Sequence, residues 1–131
     1  MKAKSIKGNS AGEIETAFLQ SIADGFKPTL AIVFISIRQD RKAICEILSA
    51  ENIDILGATS SGEFINGHQS EGETVIMFFD INKNDYCILF EDIGERTLFD
   101  AAKNMTTAAL QKFNTPALFF AALYYLQTEI C

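Results

Sequence analysis

The chain has no tryptophan, one histidine, two prolines and three cysteines in 131 residues. Each scarcity removes a class of function. Cys45, Cys87 and Cys131 stand far apart with no C-x-x-C pair, so zinc-ligand spacing is lacking, and an odd, scattered set argues for reduced thiols in a cytosolic setting. The single histidine, His68, lies in the polar stretch 66–72 without a second histidine nearby, and it reads as a solvated residue rather than a metal or haem ligand. Basic residues are few as well, 11 against 17 acidic ones for a net charge of -6. They are scattered, so the chain repels phosphate backbones and no nucleic-acid partner is expected. The longest apolar run, Ala117 to Leu126, falls short of the ~20 residues that span a bilayer, and the three lysines in Met1 to Ser10 have no apolar stretch behind them. The sequence therefore predicts a cytoplasmic protein without membrane contact.

What is present suits one folded domain. Apolar residues make up 48% and charged residues 21%, close to globular averages, and the length matches a single domain over 1–131. A weak strand at Ala3 to Lys7 leads to a helix announced by Ser10 and Glu13 in capping-box spacing, with Ile14, Phe18, Ile22 and Phe26 as its apolar stripe. Leu30 to Ser36 is almost entirely apolar and rich in β-branched residues, the pattern of an interior strand covered on both faces. Asp40 is placed to cap a second helix carrying Ile44, Cys45, Ile47 and Leu48, with Cys45 expected to be buried. Ile53 to Ala58 reads as the next strand, parallel to the first. Thr74 to Asp80 and Tyr86 to Glu91 look like a hairpin, with Cys87 in its second strand. Arg96 to Phe113 carries an apolar face of Leu98, Ala101, Ala102, Met105, Ala108, Ala109 and Phe113. The expected fold is α/β: a mixed, mostly parallel central sheet of about five or six strands flanked by about three helices, with a β-hairpin.

Function concentrates in Gly57-Ala-Thr-Ser-Ser-Gly-Glu63, which runs from a buried strand into a loop of small hydroxyl residues, at the strand end where open α/β sheets bind ligands. Gly57 and Gly62 suit close backbone approach or positive φ, and Thr59, Ser60 and Ser61 both donate and accept, so a carboxylate or an amide fits the loop. The alternative is a tight turn with locally satisfied hydroxyls. Glu63, Glu71 and Glu73 gather nearby and read as solvated loop carboxylates. Two enzymatic patterns fall short. Ala58 to Gly62 approximates a nucleophile elbow with Ser60 as nucleophile, but no histidine and acid follow in the order a triad needs. A phosphate loop lacks its lysine, since none follows Gly62 before Lys83.

In the order of Leu30-Ala-Ile-Val-Phe-Ile-Ser36, a helix, Gly57-Ala-Thr-Ser-Ser-Gly-Glu63 and Thr74-Val-Ile-Met-Phe-Phe79, the chain resembles the FIST sensory domains of bacterial signal transduction, specifically the first part of their N-terminal domain. The resemblance implies a non-catalytic sensor of small ligands, with amino acids as the proposed class and signalling output proteins as partners. It also implies haem for some members, while the residues themselves call for no cofactor. Members continue beyond the equivalent of Cys131, so the resemblance implies a shortened version. On these grounds Gly57, Thr59, Ser60, Ser61, Gly62 and Glu63 are the candidate ligand-binding residues. The run Ala117 to Leu126, compatible with strand or short helix, predicts self-association as a homodimer, because leaving its aromatic and aliphatic side chains in water forfeits several kcal/mol at roughly 25 cal/mol per Å². An interaction or oligomerisation module is the competing reading.

Overall fold

A computed structural model describes residues 1–121, which fall into two compact units, Met1–Lys83 and residues 84–121. The segment Ala117 to Leu126, expected as strand or short helix, lies largely outside the described residues; those inside, 117–121, carry no regular secondary structure.

The first unit is built on a sheet of four strands in the order β1 (Lys2–Gly8), β4 (Thr74–Asp80), β2 (Leu30–Ser36), β3 (Asp54–Ser60). The sheet is mixed, as the sequence predicts, but among the described residues it is narrower than expected and not mostly parallel. Parallel pairing is confined to β2 and β3, while β4 runs antiparallel to both of its neighbours. β2 lies in the interior, between β4 and β3.

Helix α1 (Ala11–Ile22) starts where Ser10 Oγ accepts from the Glu13 amide at 3.2 Å, and the Glu13 carboxylate reaches back to the Asn9 amide at 2.8 Å. This is the reciprocal capping that the sequence announces, displaced by one residue on its return arm. Helix α2 (Arg41–Ala50) starts where the Asp40 carboxylate accepts from the Ala43 amide at 3.0 Å. Strand alternation sends Ile6, Phe78, Ile76, Ala31, Val33 and Ile35 to the face that meets Ile14 and Phe18 of α1 and Ile44 and Leu48 of α2, and together these form the core. Phe18 and Phe78 meet with ring centroids 5.3 Å apart.

Three expectations are corrected here. Cys45 is exposed: the buried stripe of α2 is Ile44 and Leu48, four residues apart, and the next residue along a helix is rotated about 100° away from that stripe. Tyr86 to Glu91 forms no strand, so Cys87 is half-buried in irregular chain and the hairpin with Thr74 to Asp80 does not exist. The hairpin of this region lies earlier, between the three-residue strands Glu63–Ile65 and His68–Ser70, where Asn66 (φ 48) and Gly67 (φ 81) make the turn. Asn-Gly at two positive-φ sites is the preferred two-residue hairpin connection.

The second unit holds α3 (Leu98–Lys112), capped by Thr97, whose Oγ1 accepts from the Asp100 amide at 3.1 Å. Its apolar face is narrower than expected: Ala101 and Ala109 are buried, whereas Leu98, Ala102 and Ala108 are exposed.

Candidate functional site

The carboxyl ends of β1, β2 and β3 and the start of β4 share one edge of the sheet. A cavity of about 380 Å³ opens there between α2 and the outer strand β3. Its floor is apolar: Val33 and Ile35 from β2, Ile44 and Leu48 from α2, and Ile55 from β3. Its polar groups are Arg41, in the first turn of α2, the exposed thiol of Cys45 and Thr59. The cavity exists because β3 presents little bulk in this stretch. A methyl group on Gly57 would stand 2.5 Å from the Val33 carbonyl oxygen and 3.0 Å from the Val33 Cβ, so the close approach of β3 to β2 requires glycine at that point.

The six candidate residues divide. Gly57 and Thr59 line the cavity. Ser60, Ser61, Gly62 and Glu63 do not; they lead into the adjoining hairpin, and β3 itself runs on through Thr59 and Ser60 rather than ending before them. Gly57 has the close-approach role expected of it. Gly62 has neither positive φ nor a neighbour nearer than 3.8 Å to a methyl group placed there.

Glu63 and Glu73 are not solvated. Glu63, 1% exposed, accepts from Ser60 Oγ at 2.6 Å and from the Gly72 amide at 3.1 Å. This satisfies its carboxylate locally, and it ties the end of β3 to the far side of the hairpin. Glu73, 8% exposed, accepts from Ser70 Oγ at 2.5 Å and from Lys7 Nζ at 3.2 Å. The Ser70 hydroxyl first, then the Lys7 ammonium, hold its carboxyl below the ordinary value of 4.5 against the opposing effect of burial. Gln39 completes the edge by donating to the carbonyls of Asn9 and Gly72, both at 2.7 Å. Gln39 does not stand out in the sequence, because its partners Asn9 and Gly72 lie 30 and 33 residues away.

Catalytic readings find no support in this arrangement. Ser60 donates to Glu63 rather than to a histidine, and it is followed by a strand, whereas a nucleophile elbow needs a strand, a tight turn and a helix. Among the described residues no group of three or more His, Cys, Asp and Glu is placed to hold a metal ion. His68 sits on the hairpin, 54% exposed, with Nε2 3.9 Å from Glu73 and away from the cavity lining.

The mixed α/β sheet thus carries an apolar cavity beside its parallel pair, at the sheet edge where open α/β folds place their ligand sites. The FIST N domain family model matches residues 29–127, so the chain belongs to the FIST N domain family, a family of sensory domains in signal transduction. No curated protein and no solved structure matches the chain. Among the described residues no helix is long and apolar enough to cross a membrane.

Proposed function

We propose that this chain is a non-catalytic, cytoplasmic sensory domain that binds a small molecule in the cavity between α2 and β3 and passes its occupancy to a signalling output partner. The observation that carries this reading is the cavity itself, at the carboxyl end of the β2–β3 pair, with an apolar floor and few polar groups, the composition typical of ligand sites. Gly57 and Thr59 form part of its wall. Ser60 and Glu63 act next to it, since their hydrogen bond and that from Gly72 to Glu63 couple the cavity strand to the hairpin. Ser61 and Gly62, exposed between them, offer backbone amides for a contact with ligand or partner. Amino acids are the ligand class that the family suggests.

A thermal-shift screen over amino acids, nucleotides and haem tests this reading, because a ligand that binds only the folded state raises stability by RT ln(1 + [L]/Kd). A saturable rise with a small molecule, reduced by narrowing the cavity with Cys45→Phe at an exposed lining position, is the expected result. A chain that no small molecule stabilises is an interaction module instead. Leu118, Phe119 and Phe120, exposed at 82%, 51% and 48%, favour self-association as a second property. Sedimentation at micromolar concentrations is expected to show a dimer.

A further inference from the structure

We infer that the cavity is selective for an apolar monocarboxylate over a zwitterionic amino acid, with Arg41 as the residue that binds the carboxylate. This rests on the reading that the cavity is the sensory site and names the chemistry it accepts.

The argument begins with charge. Among the described residues Arg41 is the only charged one lining the cavity, and no carboxylate lines it. Arg41 makes no hydrogen bond or ion pair among the described residues, although the chain is acidic overall. The neighbouring acids on α2 are already engaged: Asp40 caps the helix through the Ala43 amide, and Glu46 pairs with Lys42 at 3.8 Å. A guanidinium beside an apolar hollow, at the helix end where the dipole also favours negative charge, suits a planar carboxylate in a bidentate contact. The floor of Val33, Ile44, Leu48 and Ile55 then accepts an aliphatic or aromatic tail.

The same lining disfavours an ammonium group. An amino acid seated with its carboxylate on Arg41 brings a second charge to a wall that supplies no anion, and burying an unpaired charge is costly. The volume of about 380 Å³ lies in the lower part of the roughly 300–1,000 Å³ range of ligand pockets, which fits a small acid and not a nucleotide.

The test compares three molecules sharing one skeleton: isocaproate (leucine without its amine), leucine, and isoamylamine (leucine without its carboxylate). Each is titrated into the full chain by calorimetry and thermal melting. Isocaproate is expected to bind saturably, with leucine and isoamylamine at least about tenfold weaker. Arg41→Gln is expected to weaken isocaproate about 10- to 100-fold, with Arg41→Lys in between, as for loss of one charge-assisted contact. Arg41 is exposed and unpartnered, so both variants are expected to keep the parent circular dichroism spectrum and melting point. Cys45 lines the same cavity, so isocaproate is expected to slow its alkylation by iodoacetamide while leaving that of Cys87 unchanged, read by peptide mass.

The inference is overturned if isocaproate does not bind, if Arg41→Gln binds it as well as the parent chain, or if leucine binds as tightly. Leucine binding that protects Cys45 and ignores Arg41 removes the carboxylate assignment and leaves the sensory cavity standing. Failure of every small molecule, with Cys45 alkylated at one rate throughout, removes both.

Discussion

Replacing Gly57 with alanine is the perturbation whose outcome follows most directly from the packing of β3 on β2. The added methyl group would meet the Val33 carbonyl oxygen at 2.5 Å and the Val33 Cβ at 3.0 Å, and a backbone oxygen cannot move aside as the end of a flexible side chain does. The register partner of Gly57 is Val33 itself, so relief requires the two strands to separate at the centre of their pairing. Overpacking of this kind costs about 1–3 kcal/mol. Alanine returns part of that, about 0.5–1 kcal/mol, by restricting the unfolded chain. The net expectation is a loss of roughly 0.5–2 kcal/mol, at roughly 4–8 °C per kcal/mol for a domain of this size. The assay is urea denaturation followed by far-ultraviolet circular dichroism, since the chain has no tryptophan. Gly12, in the first turn of α1, is the internal control: nothing lies within 4 Å of a methyl group there, so Gly12→Ala is expected to be neutral or to stabilise by up to about 1 kcal/mol. Gly57→Ala as stable as the parent chain would refute the claim that glycine is required for strand approach, and with it the explanation of how the cavity wall is formed.

Two further perturbations probe the polar edge. Thr74 is fully buried and its Oγ1 has no hydrogen-bond partner among the described residues, so Thr74→Val is expected to be neutral or to stabilise by up to about 2 kcal/mol; a clear destabilisation in urea would mean that the hydroxyl is satisfied in solution. For Glu73, the folded chain holds the carboxyl below its ordinary value of 4.5, so the anion's contribution is complete above the unfolded value and is lost as pH falls through the lower folded value. Glu73→Gln is therefore expected to cost about 1 kcal/mol at neutral pH, with the gap to the parent chain closing below pH ~4.5; a gap that stays constant with pH contradicts the assignment.

Much of the first unit was legible because each element carries its own local signal. Leu30 to Ser36 is a strand over the predicted range, and Ser10 and Asp40 cap helices at the predicted places. The failures share a cause of the opposite kind. Tyr86 to Glu91 has the apolar and aromatic composition of a strand, yet a strand also needs a partner, and pairing is not written in a single segment. Asn66-Gly67 was a readable turn signal, masked by the polarity of the stretch around it. Glu63 and Glu73 read as solvated carboxylates because a polar stretch does not announce burial: each has a serine partner three residues away, but the Gly72 amide and the Lys7 ammonium reach them only through the fold. At the site, the sequence pointed to the correct strand end, and Gly57 and Thr59 do line the cavity. Arg41 was not singled out, because its meaning depends on a hollow formed by two elements and on the engagement of Asp40 and Glu46 with other groups.

The central claim is that the hollow between α2 and β3 is the ligand site. Amide chemical-shift mapping of the isotope-labelled chain, titrated in turn with isocaproate and with leucine, tests it most directly. The account predicts saturable shifts concentrated on Arg41 to Leu48 and Ile55 to Ser60, extending through Glu63 to Gly72 as the hairpin responds. Saturable shifts confined to other regions, or none with either molecule, would contradict it.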